Sequence, residues 1–350
     1  MALCGLLLLW IFHSIFVDEA RRATPPSEWR DLPRSEQWRR GWSEGPPRVW
    51  APLREIEPGA FAASIALMGG TILLGVIRWR MVLRVQGLDL PFGRALEITL
   101  VAHFFNSFLL GATGGDLMKA YYAARETHHR KTEAVVTVFI DRLLGLWAMV
   151  LFAGLMMIPN VAWLRQMDRV SSVATLVILG MLAACSLIMG LAFWGGISKR
   201  WAGARTFLRR LPKGEWLERS LDSCRRFGRT PYFLARALAV SMALNALVVL
   251  QWWTVSRGLG MSIPFDLLMM VVPMVICIAA LPVTPSGLGV RENLFVHFLH
   301  AVTLPSSALS LSLLAFAGSL IWSLIGGVVY LLLRDRHHLA EKELTASAED

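Results

Sequence analysis

The chain has 350 residues, of which 55% are hydrophobic and 17% are charged, and its formal net charge is +10. A mean hydropathy of +0.52 excludes an ordinary soluble domain of this length. Long runs almost without charge indicate membrane-spanning helices, and no run alternates as the strands of an outer-membrane barrel do. We predict an all-α polytopic membrane protein with about six full transmembrane helices and two re-entrant helical hairpins in an inverted arrangement.

The first two predicted elements are a short apolar segment and a longer polar one. Residues 4–17 lack a basic start and a small-residue cleavage site, so we predict a first span and not a removable signal peptide. Residues 18–57 carry eight Arg and eight acidic residues and are predicted to form a polar external loop. The pairs Pro25-Pro26 and Pro46-Pro47 are expected to break any long helix there.

The next elements are a span and the first hairpin. The span over 59–77 ends in Arg78-Trp79-Arg80, which assigns this end to the cytoplasm by the positive-inside rule. Residues 95–110 are apolar, but the segment 116–131 that follows contains four cations. A full crossing of 95–110 would export those cations, so we predict a re-entrant hairpin that returns to the cytoplasmic side.

Six more elements precede or follow a basic loop. Residues 196–232 hold ten Lys and Arg against three acidic residues and are predicted to be a cytoplasmic loop. Topology and anionic lipid headgroups explain this charge, so nucleic acid is not expected as a partner. The other predicted elements are spans over 134–158, 172–195, 233–255 and 307–333, a hairpin over 265–303 that enters from the outside face, and a cytoplasmic tail over 334–350. The predicted transmembrane domain thus covers residues 1–333.

The first hairpin is interrupted by Gly114-Gly115-Asp116, which follows Asn106 and opens a segment of helical composition. Glycine lets the backbone approach a ligand closely, and free N–H groups at a helix start attract anions such as a lipid phosphate. Lys119 is placed to meet the same anionic headgroup. In the simpler alternative, Asp116 is an N-cap that satisfies the first turn and the cations reflect only topology.

The second hairpin is interrupted by Thr284-Pro285-Ser286-Gly287-Leu288-Gly289, and Arg291 and Glu292 follow in an apolar context. Neighbouring residues on a helix do not face each other, so each of these charges is expected to need a separate partner or a water-filled cavity. Arg142 and Lys119 are the candidate partners of Glu292. The alternative is a surface turn between two ordinary spans.

Other polar residues give weaker indications. Asp141-Arg142 opens an apolar run, where Arg142 is suited either to bind a phosphate with both ends of its guanidinium or to extend to the membrane interface. Glu97 and His103 are too few for a metal site and indicate polar packing. Nucleotide-binding and hydrolase motifs are not found in a suitable context, so neither a catalytic residue nor a cofactor is predicted.

These motifs resemble those of the lysylphosphatidylglycerol synthetase transmembrane-region family, also called the flippase-like domain family. The resemblance spans nearly the whole chain. It is carried by Arg78-Trp79-Arg80, by the run from Phe104 to Gly111, by Gly114-Gly115-Asp116 with Lys119-Ala120-Tyr121, by the run from Asp141 to Gly145 and by the run from Leu281 to Glu292. Leu110 stands where the family often has Pro, Lys119 where it often has Arg, and Asp141 where it often has Glu.

The resemblance implies translocation of a lipid between the leaflets of the cell inner membrane. The expected substrate is an anionic or zwitterionic phospholipid or a polyprenyl-linked lipid. The chain ends 17 residues after Leu333, so the soluble domain that gives some relatives synthetase activity is not expected. The residues expected at the headgroup are Asn106, Gly114, Gly115, Asp116, Lys119, Asp141, Arg142, Pro285, Gly287, Gly289, Arg291 and Glu292.

Two other functions stay open on the sequence. An intramembrane lipid-modifying transferase would need an acid/base set such as His103, Asp116 and Glu292 on one face. A non-transporting membrane partner of a lipid or glycan synthase would need no chemistry of its own.

Overall fold

The computed structural model describes most of the chain as helices joined by turns, and the described residues contain no strand. The described residues are 12–13, 15–17, 19–21, 23–108, 114–127, 130–161, 164, 169–194, 227, 230, 232–281, 287 and 289–346, and side chains are described except over 48–53, 191–194 and 334–346. The helices are α1 Pro26–Asp31, α2 Arg34–Arg54, α3 Pro58–Val85, α4 Phe92–Phe108, α5 Gly114–Glu126, α6 Lys131–Met157, α7 Arg169–Trp194, α8 Phe233–Gly258, α9 Phe265–Ala279, α10 Val290–Leu299 and α11 Pro305–Ala346.

Five of these helices, α3, α6, α7, α8 and α11, are long and apolar enough to cross a membrane. They coincide with five predicted spans, because a hydrocarbon core of about 30 Å needs about 20 apolar residues in a row. Most of the predicted span over 4–17 and of the basic loop over 196–232 lies outside the described residues.

Large apolar side chains point outward along the long helices. Phe139 on α6, Leu176 on α7 and Leu332 on α11 are all exposed. In water such apolar surfaces would cause protein molecules to associate, whereas in a membrane they contact lipid tails that are equally apolar. The all-α polytopic membrane fold is therefore confirmed, while the re-entrant and inverted character of the hairpins stays a prediction.

Helix α2 contradicts the predicted effect of the second proline pair. Pro26 begins α1, where a missing N–H is harmless, but Pro46 and Pro47 lie inside α2. A proline there removes a helical hydrogen bond and crowds the preceding turn. Gly45, directly before the pair, packs so closely on Phe16 that a Cβ atom would not fit. This tertiary contact stabilises the helix against its local preference.

Two pairs of shorter helices, α4 with α5 and α9 with α10, form the predicted helical hairpins, and the arms of each pair pack on one another. In the first hairpin, Arg94 near the start of α4 donates from Nη2 to Oε1 of Glu126 at the end of α5, at 2.6 Å. Arg94 also donates from Nη1 to Oε2 of Glu97 at 2.7 Å. The contact with Glu126 joins the open ends of the two arms, whereas Glu97 lies on the same arm as Arg94.

The chain divides into two compact units, and each contains one hairpin. The first unit consists of Met1–Thr71, Gly145–Ile188 and Ser241–Ser319, and the second of Ile72–Leu144, Met189–Val240 and Leu320–Asp350. The core of the first unit includes Trp252 and Phe295, whose rings stack at 4.1 Å between centroids. The core of the second unit includes Trp79, Leu83 and Ile98.

Within the second unit, the last part of α11 crosses α4 at small residues. A Cβ atom at Gly326 would collide with the carbonyl oxygen of Leu100, and one at Gly327 would lie 2.9 Å from the ring of Phe104. Ser323 donates from its hydroxyl to the carbonyl oxygen of His103 at 3.1 Å. Small residues let helix backbones approach closely in lipid, so this crossing holds the hairpin of the second unit against a long helix.

Candidate functional site

Helix α5 begins at the glycine pair of the first break. Gly114 and Gly115 are its first residues, so Asp116 is the third residue of the helix and not the N-cap of the simpler alternative. The cap comes from the other arm, because Oδ1 of Asn106 accepts the N–H of Gly115 at 2.9 Å. A Cβ atom at Gly115 would lie 2.5 Å from Cγ of Asn106 and would also meet the carbonyl oxygen of Ala102. Only glycine permits this approach.

Asp141 on α6 is shared between two cations. Its Oδ1 accepts a hydrogen bond from Nε of Arg78 at 2.8 Å, and its Oδ2 accepts one from Nζ of Lys119 at 3.0 Å. The side chains of Asp141, Lys119 and Arg78 are only 8%, 9% and 12% exposed. In the sequence, Arg78 was identified as a marker of topology and as part of a family motif but not as a partner of Asp141, so this contact was missed.

The ammonium group of Lys119 also lies over an aromatic ring. Its Nζ is 4.3 Å from the ring centroid of Trp79, a distance typical of a cation–π contact. Trp79 is fully buried, and its Nε1 donates to Oγ1 of Thr137 at 3.4 Å. The ammonium group of Lys119 is therefore held by the ring of Trp79 as well as by Asp141, and the hydrogen bond to Thr137 orients that ring.

A second, more accessible ion pair adjoins the first. Nη1 of Arg142 donates to Oδ2 of Asp116, and the two side chains are 30% and 28% exposed. Arg142 follows Asp141 on α6, and Asp116 lies one turn before Lys119 on α5. Asp116 therefore has a cation of the neighbouring helix as its partner. We call Arg78, Asp116, Lys119, Asp141 and Arg142 the Asp141 cluster.

The turn of the second hairpin uses glycine for its backbone conformation. Gly287 and Gly289 have φ of +68° and +83°, in the left-handed region that side chains disfavour. A Cβ atom at Gly287 would also lie 2.7 Å from Cβ of Ala279, at the end of α9. The predicted break is confirmed by the end of α9 at Ala279 and the start of α10 at Val290, whereas Pro285 lies outside the described residues.

Arg291 and Glu292 bind each other, contrary to the prediction of separate partners. Nε of Arg291 donates to Oε1 of Glu292 at 3.0 Å, and Nη2 donates to the same oxygen. The hydroxyl of Ser312 on α11 donates to this oxygen at 3.2 Å. Oε2 of Glu292 accepts the N–H of Gly289 at 2.7 Å. Glu292 is fully buried.

The position of Glu292 at the start of α10 explains this pairing. As the third residue of the helix it turns back to the N–H of Gly289, as the acid of a capping box does. The long side chain of Arg291 then reaches the same carboxylate, and its Cζ lies 4.5 Å from the ring centroid of Phe316. Gly289, Arg291, Glu292, Ser312 and Phe316 form the Glu292 network, and the candidate partners Arg142 and Lys119 bind Asp116 and Asp141 instead.

Sequence reasoning missed five residues at these two sites, and some carried a usable signal. Arg78 and Trp79 stood in a motif already quoted for the family resemblance. Ser312 belongs to a group of buried serines on α11, an unusual feature of an otherwise apolar span. Thr137 and Phe316 carry no signal of their own in the sequence. All five are Arg78, Trp79, Thr137, Ser312 and Phe316.

Comparison with known proteins identifies the family. A family model described as the lysylphosphatidylglycerol synthase TM region matches residues 41–336. The chain therefore belongs to this family, and the resemblance deduced from the motifs is confirmed. The match is to the transmembrane region of the synthase.

Two curated relatives are UPF0104 membrane proteins. The protein of Pyrococcus horikoshii is 26% identical over 246 residues, which cover 63% of this chain and 71% of the relative. The protein of Methanothermobacter thermautotrophicus is 25% identical over 272 residues, which cover 70% of this chain and 75% of the relative. Their names state a membrane protein and no activity.

Proposed function

We propose that this chain is a lipid translocase of the cell inner membrane. It would bind the headgroup of a phospholipid or a polyprenyl-linked lipid at polar groups of its helical hairpins, while the acyl chains stay in the bilayer. The observation that carries this proposal is the Asp141 cluster, whose five charged side chains lie on helices of a membrane protein. Charges at membrane depth are costly and are retained mainly for transport or binding.

The surface of α5 fits a ligand with a polar end and an apolar end. Asp116 and Lys119 on this helix belong to the Asp141 cluster, while Leu117 and Tyr121 between and beyond them are 70% and 55% exposed. A lipid placed here would present its phosphate to the guanidinium of Arg142 and its acyl chains to the exposed side chains. A water-soluble ligand would gain nothing from Leu117.

The other residues would support this binding. Asn106, Gly114 and Gly115 hold the start of α5 against α4, and Gly287 and Gly289 form the turn of the second hairpin. We propose that Arg291 and Glu292 contact a headgroup only after the ion pair between them has broken. Contact of these two residues and of Pro285 with lipid stays a prediction.

The test is reconstitution of the purified protein into liposomes with phosphatidylglycerol labelled on an acyl chain. Dithionite added outside bleaches the outer leaflet, and loss of the protected inner signal measures translocation. Arg142→Gln is expected to slow translocation about tenfold or more, since a charge-assisted hydrogen bond contributes about 1.5–3 kcal/mol. Arg84→Gln is the matched control, because it removes the same charge from α3 at a side chain that is 60% exposed.

Three outcomes would contradict the proposal. Equal bleaching of empty and protein-containing liposomes would remove the translocase function and favour a membrane partner of a synthase. A new covalent lipid species in cells that express the protein, detected by mass spectrometry, would favour the transferase. Equal rates for Arg142→Gln and Arg84→Gln would remove the Asp141 cluster from the mechanism.

A further inference from the structure

We infer that the exposed indole rings of Trp38 and Trp42 insert into the headgroup layer of the membrane, so that α2 lies on the bilayer surface. The partner of this surface is a phospholipid, contacted at its glycerol esters and the upper part of its acyl chains. The inference concerns the first unit alone and does not depend on the proposed function.

Helix α2 has an apolar stripe that the protein covers only in part. Four residues recur at the i, i+3, i+4 and i+7 spacing of one helix face, namely Trp38, Gly41, Trp42 and Gly45. The two glycines pack closely on the amino-terminal segment over 12–21, which is helical where it is described. The two tryptophans remain 56% and 46% exposed. Large apolar rings side by side on an exposed face mark contact with a partner or a membrane.

Three charged residues of α2 lie off this stripe and form ion pairs. Nε and Nη2 of Arg39 donate to the carboxylate of Glu36. Nη1 of Arg40 donates to Oε1 of Glu28 on α1 at 2.9 Å, and Nε of Arg40 lies 3.7 Å from Oε1 of Glu36. An apolar face next to a charged one is the pattern of a helix that lies in a membrane interface.

Packing on α11 shows the depth of α2 in the first unit. Gly45 lies so close to Phe16 that a Cβ atom would not fit, and Phe16 shares a buried apolar cluster with Leu309 of α11. Leu309 is the fifth residue of the membrane-spanning part Pro305–Leu333. This part is about 44 Å long, against about 30 Å for the hydrocarbon core. With the excess shared between the two ends, Leu309 lies close to the edge of the core, and so does Gly45.

The carboxyl end of α2 is held at a membrane boundary as well. α2 ends at Arg54, and the spanning helix α3 begins at Pro58. Between them, the N–H of Glu57 donates at 2.9 Å to the carbonyl oxygen of Gly258, the last residue of the spanning helix α8. Two separate points of α2, this end and Gly45, are therefore fixed to spanning helices near their ends.

The two tryptophans lie on the membrane side of Phe16. The rings of Trp42 and Phe16 are 5.2 Å apart between centroids, and Nε1 of Trp42 donates to Nδ1 of His13 at 2.9 Å. The ring of Trp38 meets the ring of His13 edge-on at 5.2 Å. His13 precedes Phe16 by about one helical turn and belongs to the predicted span over 4–17. Contacts with His13 therefore lie deeper than contacts with Phe16.

The polar atoms of the two rings fit the ester region of a phospholipid. The N–H of Trp42 is bonded to His13, so the exposed part of this ring is carbon. Trp38 makes no hydrogen bond to another residue within the part of the chain that the structure describes, which leaves its N–H for a lipid oxygen. Tryptophan favours this level of the bilayer, because its ring contacts acyl chains while its N–H meets ester and phosphate oxygens.

The test is electron paramagnetic resonance of a spin label on the full chain in phosphatidylcholine liposomes. Serine first replaces the native cysteines Cys4, Cys185, Cys224 and Cys277. Trp38→Cys carries the label on the apolar stripe, and Ser43→Cys is the matched control, an exposed position of the same helix off the stripe. Oxygen concentrates in lipid and a nickel chelate in water. A surface helix buries its apolar face about 5–10 Å deep, so the ratio of oxygen to nickel accessibility should be at least about threefold higher at position 38.

A second measurement keeps Trp38 itself and serves if the label disturbs the packing on His13. The difference between the emission spectra of the wild-type protein and Trp38→Phe is the emission of Trp38. It should be quenched when phosphatidylcholine brominated on the upper acyl carbons replaces the ordinary lipid. Trp29 is buried on α1, so the corresponding difference for Trp29→Phe should be quenched less.

Equal accessibility ratios at positions 38 and 43 would show that both faces of α2 lie in water, and would overturn the inference. A label at position 38 that is shielded from oxygen and from nickel would overturn it in favour of a second protein chain on this face. Emission of Trp38 that brominated lipid leaves unchanged would also overturn it. A higher ratio at position 38 together with quenched emission supports it, and lipid translocation in liposomes is measured independently of both.

Discussion

Glu292 accepts more hydrogen bonds than any other carboxylate described above. All of its donors lie at the start of α10, except for one serine on α11. Its two oxygens accept hydrogen bonds from Arg291, from Ser312 and from the N–H of Gly289. Since the carboxylate is fully buried, the free energy of this residue depends on keeping every partner.

We predict that single changes in this pair are far more destabilising than the double change. Arg291→Met or Glu292→Gln leaves one charge buried without its partner, at a cost of about 3–5 kcal/mol. The double variant removes both charges and should lose much less than the sum. Denaturant unfolding in detergent measures these differences as a double-mutant cycle.

The exposed pair of Glu36 and Arg39 on α2 provides the control. It has a similar hydrogen-bond geometry, with Nη2 of Arg39 at 2.7 Å from Oε1 of Glu36, but the side chain of Arg39 is 77% exposed. Arg39→Met and Glu36→Gln should therefore leave the unfolding curve unchanged. Single changes at Arg291 or Glu292 that were equally silent would show that the network contributes nothing to stability.

At this scale the sequence predicted the residues but not their partners. Asp116, Lys119, Asp141 and Arg142 were all identified from charge in an apolar context. Arg78 and Asp141 lie 63 positions apart, and no local spacing connects them. Helix geometry alone also gave the wrong answer for Arg291 and Glu292, because the rule for neighbours holds in a helix interior and not in its first turn.

At the scale of the elements, the first hairpin depends on the contact of α5 with α4. The N–H of Gly115 reaches Oδ1 of Asn106 only because the two backbones are in close contact. The cluster residues Asp116 and Lys119 follow directly on α5. A displacement of this helix start would therefore move both side chains.

We predict that Gly115→Ala destabilises the hairpin and slows translocation. The added methyl group collides with the backbone of α4, and such overpacking costs about 1–3 kcal/mol. Unfolding in detergent and the dithionite assay measure the two effects.

Gly93→Ala is the matched control on the same hairpin. A Cβ atom there meets nothing within 4 Å, and Gly93 lies in the first turn of α4. Alanine should stabilise this helix by up to about 1 kcal/mol, because it restricts the unfolded chain. If the two alanine variants behaved alike, the close approach at Gly115 would have no energetic meaning.

The elements were largely predictable because their signals are compositional. The length of the apolar runs predicted the five long helices, and the clusters of glycine predicted the two interruptions. The interior prolines of α2 were misjudged, since the packing of Phe16 on Gly45 depends on a residue about 30 positions away and leaves no pattern in the local sequence.

At the scale of the whole molecule, α11 fixes the sides of the membrane for the end of the chain. Its membrane-spanning part, Pro305–Leu333, has 29 residues, which is about 44 Å of helix at 1.5 Å per residue. That length exceeds the hydrocarbon thickness of about 30 Å. The residues before and after it should therefore lie on opposite sides.

We predict that a cysteine at position 300 is labelled from outside and one at position 346 from the cytoplasm. Cys4, Cys185, Cys224 and Cys277 are first replaced by serine, so that only the introduced thiol reacts. A membrane-impermeant maleimide applied to intact and to permeabilised cells measures the sides. Reaction of both positions from one side would refute the topology.

The division into two units was not predictable from the sequence. Its boundaries fall inside the five long helices, at positions where composition does not change. Side-chain packing decides this division, and each core is assembled from segments far apart in the chain. The hydropathy of a segment indicates whether it lies in the membrane, but not which other segments it packs against.

The proline pair inside α2 determines where this helix opens most easily. Pro46 and Pro47 have no amide hydrogen, so the carbonyl groups of Trp42 and Ser43 lose the donors that a regular helix supplies four residues later. Two adjacent acceptors are thereby open to hydration at one point on α2. Amides on either side of this point should exchange with deuterium earlier than those at Gln37 or Trp38, which would make the proline pair a built-in hinge of the amino-terminal region.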